Sequence, residues 1–403
     1  MKFKYGTHLT GSMKSRYKVF IGSIFLAAAV GFIAIRTTSR TRRPNEKTLA
    51  QPPLSQNNLS QPSNQLGSSA SATGAAFKNQ RLWQALAVKI TQGHPEENRA
   101  ALLSFFENQF RSPSNHLSAN ELIEFLESGE DASTSLGFRV GAAHRLEEWP
   151  TLRVAALDWL GTLDPAAAAS YAEKIFNQEK SADEFAIALR NLAFGLPQNN
   201  EALTQRFEQL LAKEDWKNVP SQGYLEAFDI AAYLVNPDLV QPLSHNISDT
   251  RNEPLRKASF VALDRMAQAN PKLIIKQLLA NEFLQNSPFT RAGLFSHADI
   301  RDHEQRQLVE SYLLNTKVQS QEISSFAEAF PNGSATLVYG LVSENRSPSF
   351  SDLAQQDRSS LKWVREWLGD KRFASRQPEL QKLESKLESY VASAVRGGIL
   401  PTP

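Results

Sequence analysis

The chain has 403 residues, 41% of them apolar, with 44 Lys/Arg, 42 Asp/Glu and no cysteine. This excludes a wholly disordered chain, disulfides, thiolate metal sites and a cysteine nucleophile, and it allows either two or three ordinary domains or one elongated repeat array. The formal net charge of +2 hides a split: residues 1–47 hold ten basic residues and one acidic, while the rest carries 34 basic and 41 acidic, net −7, without the clustered Lys/Arg that a nucleic-acid surface needs.

In chain order, a basic segment (1–18) precedes VFIGSIFLAAAVGFIAI, residues 19–35, seventeen residues without a charge. That run is at the short end of what spans a bilayer as a helix. Lys14, Arg16 and Lys18 flank it before, and Arg36, Arg40, Arg42 and Arg43 after. The small residues Ala27, Ala28 and Ala29 offer a cleavage point only by cutting the apolar run in half, so the pattern favours an uncleaved transmembrane signal anchor over a cleaved signal peptide. A short basic N-terminus before a first span usually stays cytoplasmic, so the bulk of the chain is expected to be exported. Residues 36–76 are expected to form a disordered linker, because QPPLSQNNLSQPSNQLGSSASATGAA is rich in Pro, Ser, Gln and Gly and lacks aromatic residues. About thirty residues of this kind reach roughly 30 Å on average.

From Phe77 onward helical periodicity dominates and no strand is expected, since no alternating run is bounded by Asn-Gly or Asp-Gly turns. Asn332-Gly333 lies between AEAF and ATLVYGLV, which read as helix ends. LDWLGTLDP at Leu157 to Pro165 aligns with LDRMAQANP at Leu263 to Pro271, and more loosely with FDIAAYLVNP at Phe228 to Pro237. In each, Asp or Asn before Pro suits an N-cap followed by a first helical residue, ending one helix and starting the next. Further breaks fall at His94-Pro95, Gly129 to Ala132, Leu196-Pro197, Asp299 to His303 and Pro331-Asn332, about 30 to 40 residues apart in the manner of helical-hairpin repeats. Pro150, Arg153 and Ala155, Pro254, Arg256 and Ala258, and Pro288, Arg291 and Ala292 repeat a Pro, Arg and Ala pattern at helix starts. Ala166 to Ala169 read as close helix packing, and Arg153 and Asp158 as structural residues.

These features resemble HEAT-type α-solenoid repeats. The tetratricopeptide pattern is the competing assignment through Trp159-Leu160-Gly161, but its Trp-x-x-Leu-Gly spacing is missing. The resemblance implies an all-α fold of stacked helical hairpins in a right-handed superhelix, with a helical repeat domain over 77–345. A C-terminal helical hairpin cap over 346–403 is expected from Leu353 to Asp370 and Pro378 to Val395, with Leu380, Leu383, Leu387, Tyr390 and Ala394 on one seam.

Candidate chemistry is sparse. His297, Asp299, Asp302 and His303 are the densest group of possible metal ligands, but His297 and Asp299 would point apart on a helix and no third ligand is identifiable, so a polar inter-helix turn is expected. His94, His116, His144 and His245 stand alone. Ser359 and Lys362 match a Ser-x-x-Lys spacing without its companion motifs and read as a helix face. Glu96-Glu97 and Glu147-Glu148 are paired carboxylates expected near helix ends, where acids favour a helix start. Trp83, Trp149, Trp159, Trp216, Trp363 and Trp367 read as core. Asn58, Asn246, Asn332 and Asn345 fit the glycosylation sequon. No catalytic, cofactor-binding or metal residue is assigned. The expectation is a membrane-anchored repeat scaffold that binds a protein partner on its exported side and not nucleic acid; the alternative is an all-helical (α/α) toroid enzyme acting on polysaccharide.

Overall fold

A computed structural model of the chain describes residues 69–111, 117–332, 340–344 and 348–401. The chain divides into two compact units, Met1–Ala72 and Thr73–Pro403, and the packing below belongs to the second. The expected anchor at 19–35 lies outside the described residues. Among the described residues no helix is long and apolar enough to cross a membrane.

The fold is all-α apart from one short hairpin. Helix α1 (Ser69–Gln92) begins inside the stretch expected to be linker. It is followed by α2 (Pro95–Arg111) and α3 (Ala119–Ser128), the latter closed by Gly129 in the left-handed region. Two strands, β1 (Arg139–Val140) and β2 (Leu146–Glu148), then pair antiparallel around a 3-10 turn at Ala142–His144. This corrects the expectation of no strand and of helix ends at Glu147-Glu148. Two- and three-residue strands are too short to show an alternating pattern, and their turn uses Ala143 and His144 at positive φ instead of Asn-Gly.

Helices α4 (Leu152–Leu163), α5 (Pro165–Gln178), α6 (Ala182–Gly195) and α7 (Asn200–Leu211) follow. Next come the short α8 (Glu214–Asn218), α9 (Gln222–Glu226) and α10 (Asp229–Leu234). The chain continues through α11 (Val240–Ser248), α12 (Glu253–Ala269), α13 (Pro271–Ala280) and α14 (Pro288–Phe295) to α15 (His303–Leu314) and α16 (Ser320–Ala329). A last pair, α17 (Phe350–Gly369) and α18 (Gln377–Arg396), is joined by a 3-10 turn at Lys371–Arg376, where the sequence placed a loop.

Helices pack on their neighbour and on the next but one. A continuous row runs α4, α6, α9, α12, α14, α16, α18, with α10 also against α12. The intervening helices lie on that row: α5 on α4 and α6, α11 on α12, α13 on α12 and α14, and α17 on α18. Among the described residues one large apolar core links these helices, from Trp83 and Phe106 to Phe373 and Leu387, with a second small cluster at Ala354, Ala394 and Leu400.

The breaks come from capping chemistry. Asp164 accepts a bond from the Ala167 amide at 2.9 Å and Asn270 one from the Leu273 amide at 3.2 Å, with Pro165 and Pro271 next in chain. Asn236 does the same for Asp238 at 3.0 Å, ahead of a 3-10 turn at Pro237–Leu239. A short polar side chain satisfies an amide that the helix cannot, and proline at N1 has no amide to lose. Close packing follows at the expected small residues only in part. Ala168 and Ala169 are buried but Ala166 is exposed, and a Cβ at Gly195 would come 2.5 Å from that of Ala169. Glycine there lets α6 meet α5.

Candidate functional site

Charged side chains recur inside the row of helices. Arg153 on α4 grips Glu184 on α6 with two bonds of 2.8 and 3.0 Å, both side chains buried, and its Nη1 reaches the Leu126 carbonyl at 2.5 Å. Five residues on, Asp158 takes the Arg190 guanidinium from α6 and the Trp149 indole N–H at 2.8 Å. A Cβ at Gly161 would collide with Asn191 and sit 3.0 Å from the Arg190 guanidinium, so this glycine admits the pair. Asp229 on α10 holds Arg265 on α12 at 2.6 Å, and Asp264 on α12 meets His297 after α14 at 2.7 Å. Arg291 on α14 faces Glu322 on α16 at 3.6 Å.

Asp158, Asp229 and Asp264 occupy the same place in the three aligned segments, each the second residue. Each meets a basic side chain from further along the chain, at separations of 32, 36 and 33 residues. Arg153 and Asp158, expected to be structural residues, are both buried in ion pairs. Of the arginines in the Pro, Arg and Ala pattern, Arg153 bonds Glu184 and Arg291 faces Glu322 at 3.6 Å, while the buried Nε atoms of Arg291 and Arg256 have no hydrogen-bond partner.

Asp229 does more than its counterparts. Its Oδ2 accepts the amides of Val342 and Ser343, each at 2.7 Å, and its Oδ1 takes the Ser343 hydroxyl beside Arg265. Arg265 Nη2 reaches the Ser343 carbonyl at 3.3 Å. Upstream, the Gly340 carbonyl lies 2.9 Å from His144 Nδ1, which therefore carries the proton, since a carbonyl only accepts. Ala143 and His144 stand at φ 54° and 61°, a conformation L-residues rarely adopt away from ligand and turn sites. Arg190 holds the His144 carbonyl at 3.1 Å and Phe194 lies against its ring.

Gly340 to Glu344 is thus a tight bend, turning at Leu341 and Val342 and held by its main chain to α10 and α12, with Leu341 and Val342 buried. This corrects the reading of ATLVYGLV as a helix end at Gly340–Val342. Its bonding partners Asp229 and Arg265 lie 113 positions before Val342 and 78 before Ser343, and local periodicity carries no trace of that. Beside the segment a cleft of about 570 Å³ opens over the C-terminal ends of α6, α10 and α12, lined by Phe194, Tyr233, Gln268 and Glu344 among others. Phe194 is 40% exposed at its edge.

A carboxylate has about four acceptor positions, and Asp229 meets four donors: the guanidinium, two amides and a hydroxyl. Glu226 on α9 is the other acid nearby; burial, foremost, holds its carboxyl above the usual range, opposed by a bond from Gln222.

The remaining candidates are dispersed. His297 belongs to the Asp264 pair, Asp299 to Arg301, and Asp302 caps α15 at the Gln305 amide, with His303 its first residue. Among the described residues no three His, Asp or Glu form a metal-holding group. Lys362 is exposed and Ser359 half-buried on α17. Glu147 and Glu148 both meet Arg139, at 3.4 and 2.7 Å, and Glu96 and Glu97 open α2. His94 precedes α2, and His245 sits on α11. Trp83, Trp149 and Trp367 are buried; Trp159, Trp216 and Trp363 pack half-buried against the same core. Asn246 is buried, Asn332 bonds the Ser296 carbonyl through its amide, and His116, Asn58 and Asn345 lie outside the described residues.

Sequence reasoning missed Asp229 as a binding residue, although its place in FDIAAYLVNP, level with Asp158, marked it as a buried acid. Compared with protein-family models, curated proteins and solved structures, the chain gave no match.

Proposed function

We propose that the chain is a HEAT-like α-solenoid, a right-handed stack of helical hairpins, that is anchored in a membrane through residues 19–35 and binds a protein partner on the exported side. The solenoid reading is supported by the row of contacts between helices two or three apart in the chain and by the equivalent positions of Asp158, Asp229 and Asp264. Stacked repeats share a core that no single hairpin could bury, and they present long surfaces to partners. The anchor reading rests on the uncharged run and its basic flanks.

The observation that carries the binding role is the main-chain grip of Asp229 and Arg265 on Gly340–Glu344. A surface that holds a bend of polypeptide through its amides and a carbonyl is suited to polypeptide. To test this, the full chain carrying a C-terminal affinity tag is cross-linked in cells, extracted in detergent and its adducts identified. One enriched protein is expected, lost on Phe194→Glu or Tyr233→Glu at the cleft rim. Retention that ignores both substitutions, or polysaccharide turnover by the purified chain, contradicts the scaffold reading. A reporter fused at Pro403 should be active only on the exported side.

A further inference from the structure

We propose that Arg291, Tyr312 and Glu322 enclose a site for one internal water molecule, which closes the ion pair between α14 and α16. This site is independent of what the stack binds. Arg291 Nη1 stands 3.6 Å from Glu322 Oε1, beyond hydrogen-bond length, with both side chains buried. The buried atoms Arg291 Nε, Glu322 Oε1 and Tyr312 Oη have no hydrogen-bond partner among the described residues. Folded proteins satisfy buried polar groups with protein or with ordered water, and unmet charged groups are the costliest to leave alone.

An equivalent trio earlier in the stack shows the same pair closed without a bridge. Arg153 on α4, Tyr171 on α5 and Glu184 on α6 are matched by Arg291 on α14, Tyr312 on α15 and Glu322 on α16. Both Arg–Glu pairs are 31 residues apart, and in both the tyrosine lies close to the arginine. Arg153 Nε donates to Glu184 Oε1 at 2.8 Å and Nη2 to Oε2 at 3.0 Å, so that fork is shut by direct contact. The later fork stands open, and its unmet atoms are those that a bridging molecule would take.

The three atoms select water over an ion. Arg291 Nε–H only donates, an ionised carboxylate only accepts, and a hydroxyl does either. An anion cannot donate to Glu322 and a cation cannot accept from Arg291, whereas water does both and keeps a further position for Tyr312. Burial, foremost, and the nearby Glu322 carboxylate hold the Tyr312 hydroxyl well above the usual tyrosine range, so it keeps its proton. Burial raises the Glu322 carboxyl as well, and the Arg291 guanidinium opposes it. Three partners are the ordinary number for a buried water. Arg376, the next cation, is taken by the carbonyls of Leu313, Asn315 and Val318, each at 2.9 Å. Phe295 and Phe326 pack on Tyr312 with ring centres 4.0 and 5.5 Å away, and all three rings are buried, which separates the group from bulk solvent.

A crystal structure of the full chain from mildly alkaline buffer, where Glu322 is ionised, tests this without any variant, at a resolution that shows single waters. One water is expected within hydrogen-bond reach of Arg291 Nε, Glu322 Oε1 and Tyr312 Oη, and none between Arg153 and Glu184. A direct Arg291 Nε–Glu322 bond like that of Arg153, an ion in the gap, or a gap without density overturns the proposal. In solution, the full chain in detergent with isotope-labelled arginine reports the same water by cross-relaxation to the Nε proton. The signals lost in Arg291→Lys and in Arg153→Lys identify the two arginines, and far-UV circular dichroism checks that each variant folds. A water cross-peak is expected at Arg291 and none at Arg153. Tyr312→Phe withdraws one of the three partners, and the Arg291 cross-peak is expected to lose intensity while Arg153 is unchanged. Equal water contact at the two arginines, or a cross-peak indifferent to Tyr312→Phe, overturns the assignment.

Discussion

Burying a charge is tolerable only when a partner and hydrogen bonds replace water, and the row of helices meets that condition at Arg153–Glu184, Arg190–Asp158 and Arg265–Asp229. Removing one partner strands the other. Arg153→Ala is expected to destabilise the chain by about 3–5 kcal/mol in urea titration, and the double change Arg153→Met with Glu184→Leu to recover most of it. Equal losses in the single and double variants would deny that the stranded charge is the cause. Glu226 gives a pH-dependent counterpart. Burial raises its carboxyl above the ordinary value of 4.5, so its protonated form is favoured in the folded chain. Its contribution is full below about pH 4.5 and is lost as pH rises through the raised value. Glu226→Gln should therefore match the wild type near pH 4 and exceed it in melting temperature at pH 7; a lower melting temperature at pH 7 would contradict this. At this scale the sequence was informative where a residue acts on partners nearby in the chain. Asp158 stood out by its aligned position, whereas Asp229 hid its second role because Val342 and Ser343 are more than a hundred residues away.

Elements begin and end here by local chemistry, and local chemistry is what a sequence displays. Asp164 and Asn270 cap α5 and α13 ahead of proline, and both were legible. Asp164→Ala and Asn270→Ala should each lower stability by about 1 kcal/mol. The two caps share no partner, so the effects should add in the double variant. The last hairpin was legible too: α17 and α18 fall where the apolar seam placed them, with Leu380, Leu383 and Leu387 buried. What fastens it was not. Lys386 on α18 reaches the carbonyls of Ala327, Glu328 and Phe330 at 2.7, 2.8 and 2.6 Å, so a cation closes the C-terminal end of α16. Lys386→Met keeps the stem and removes these bonds, and faster amide exchange in α18 than in α4 is the expected result. The short strands and the Gly340–Glu344 segment escaped notice for one reason: their conformation is imposed by contacts distant in sequence.

At the scale of the whole molecule, one core links successive helices, and each end of such a stack needs a cover. Removing α17 and α18 bares the face of α16 that α18 covers. A chain ending at Glu344 should accordingly elute as soluble aggregate in size-exclusion chromatography, whereas elution as a monomer would show that the hairpin is no cap. The binding role depends on the grip of the row of helices on the main chain of the Gly340–Glu344 bend. Amide hydrogen exchange at Val342 and Ser343 in the isolated full-length chain measures that grip directly. Both amides are predicted to exchange far more slowly than those of an unstructured peptide of the same sequence, with protection lost in Asp229→Asn while α4 and α6 stay protected; exchange at the unstructured rate in the unaltered chain would contradict the account.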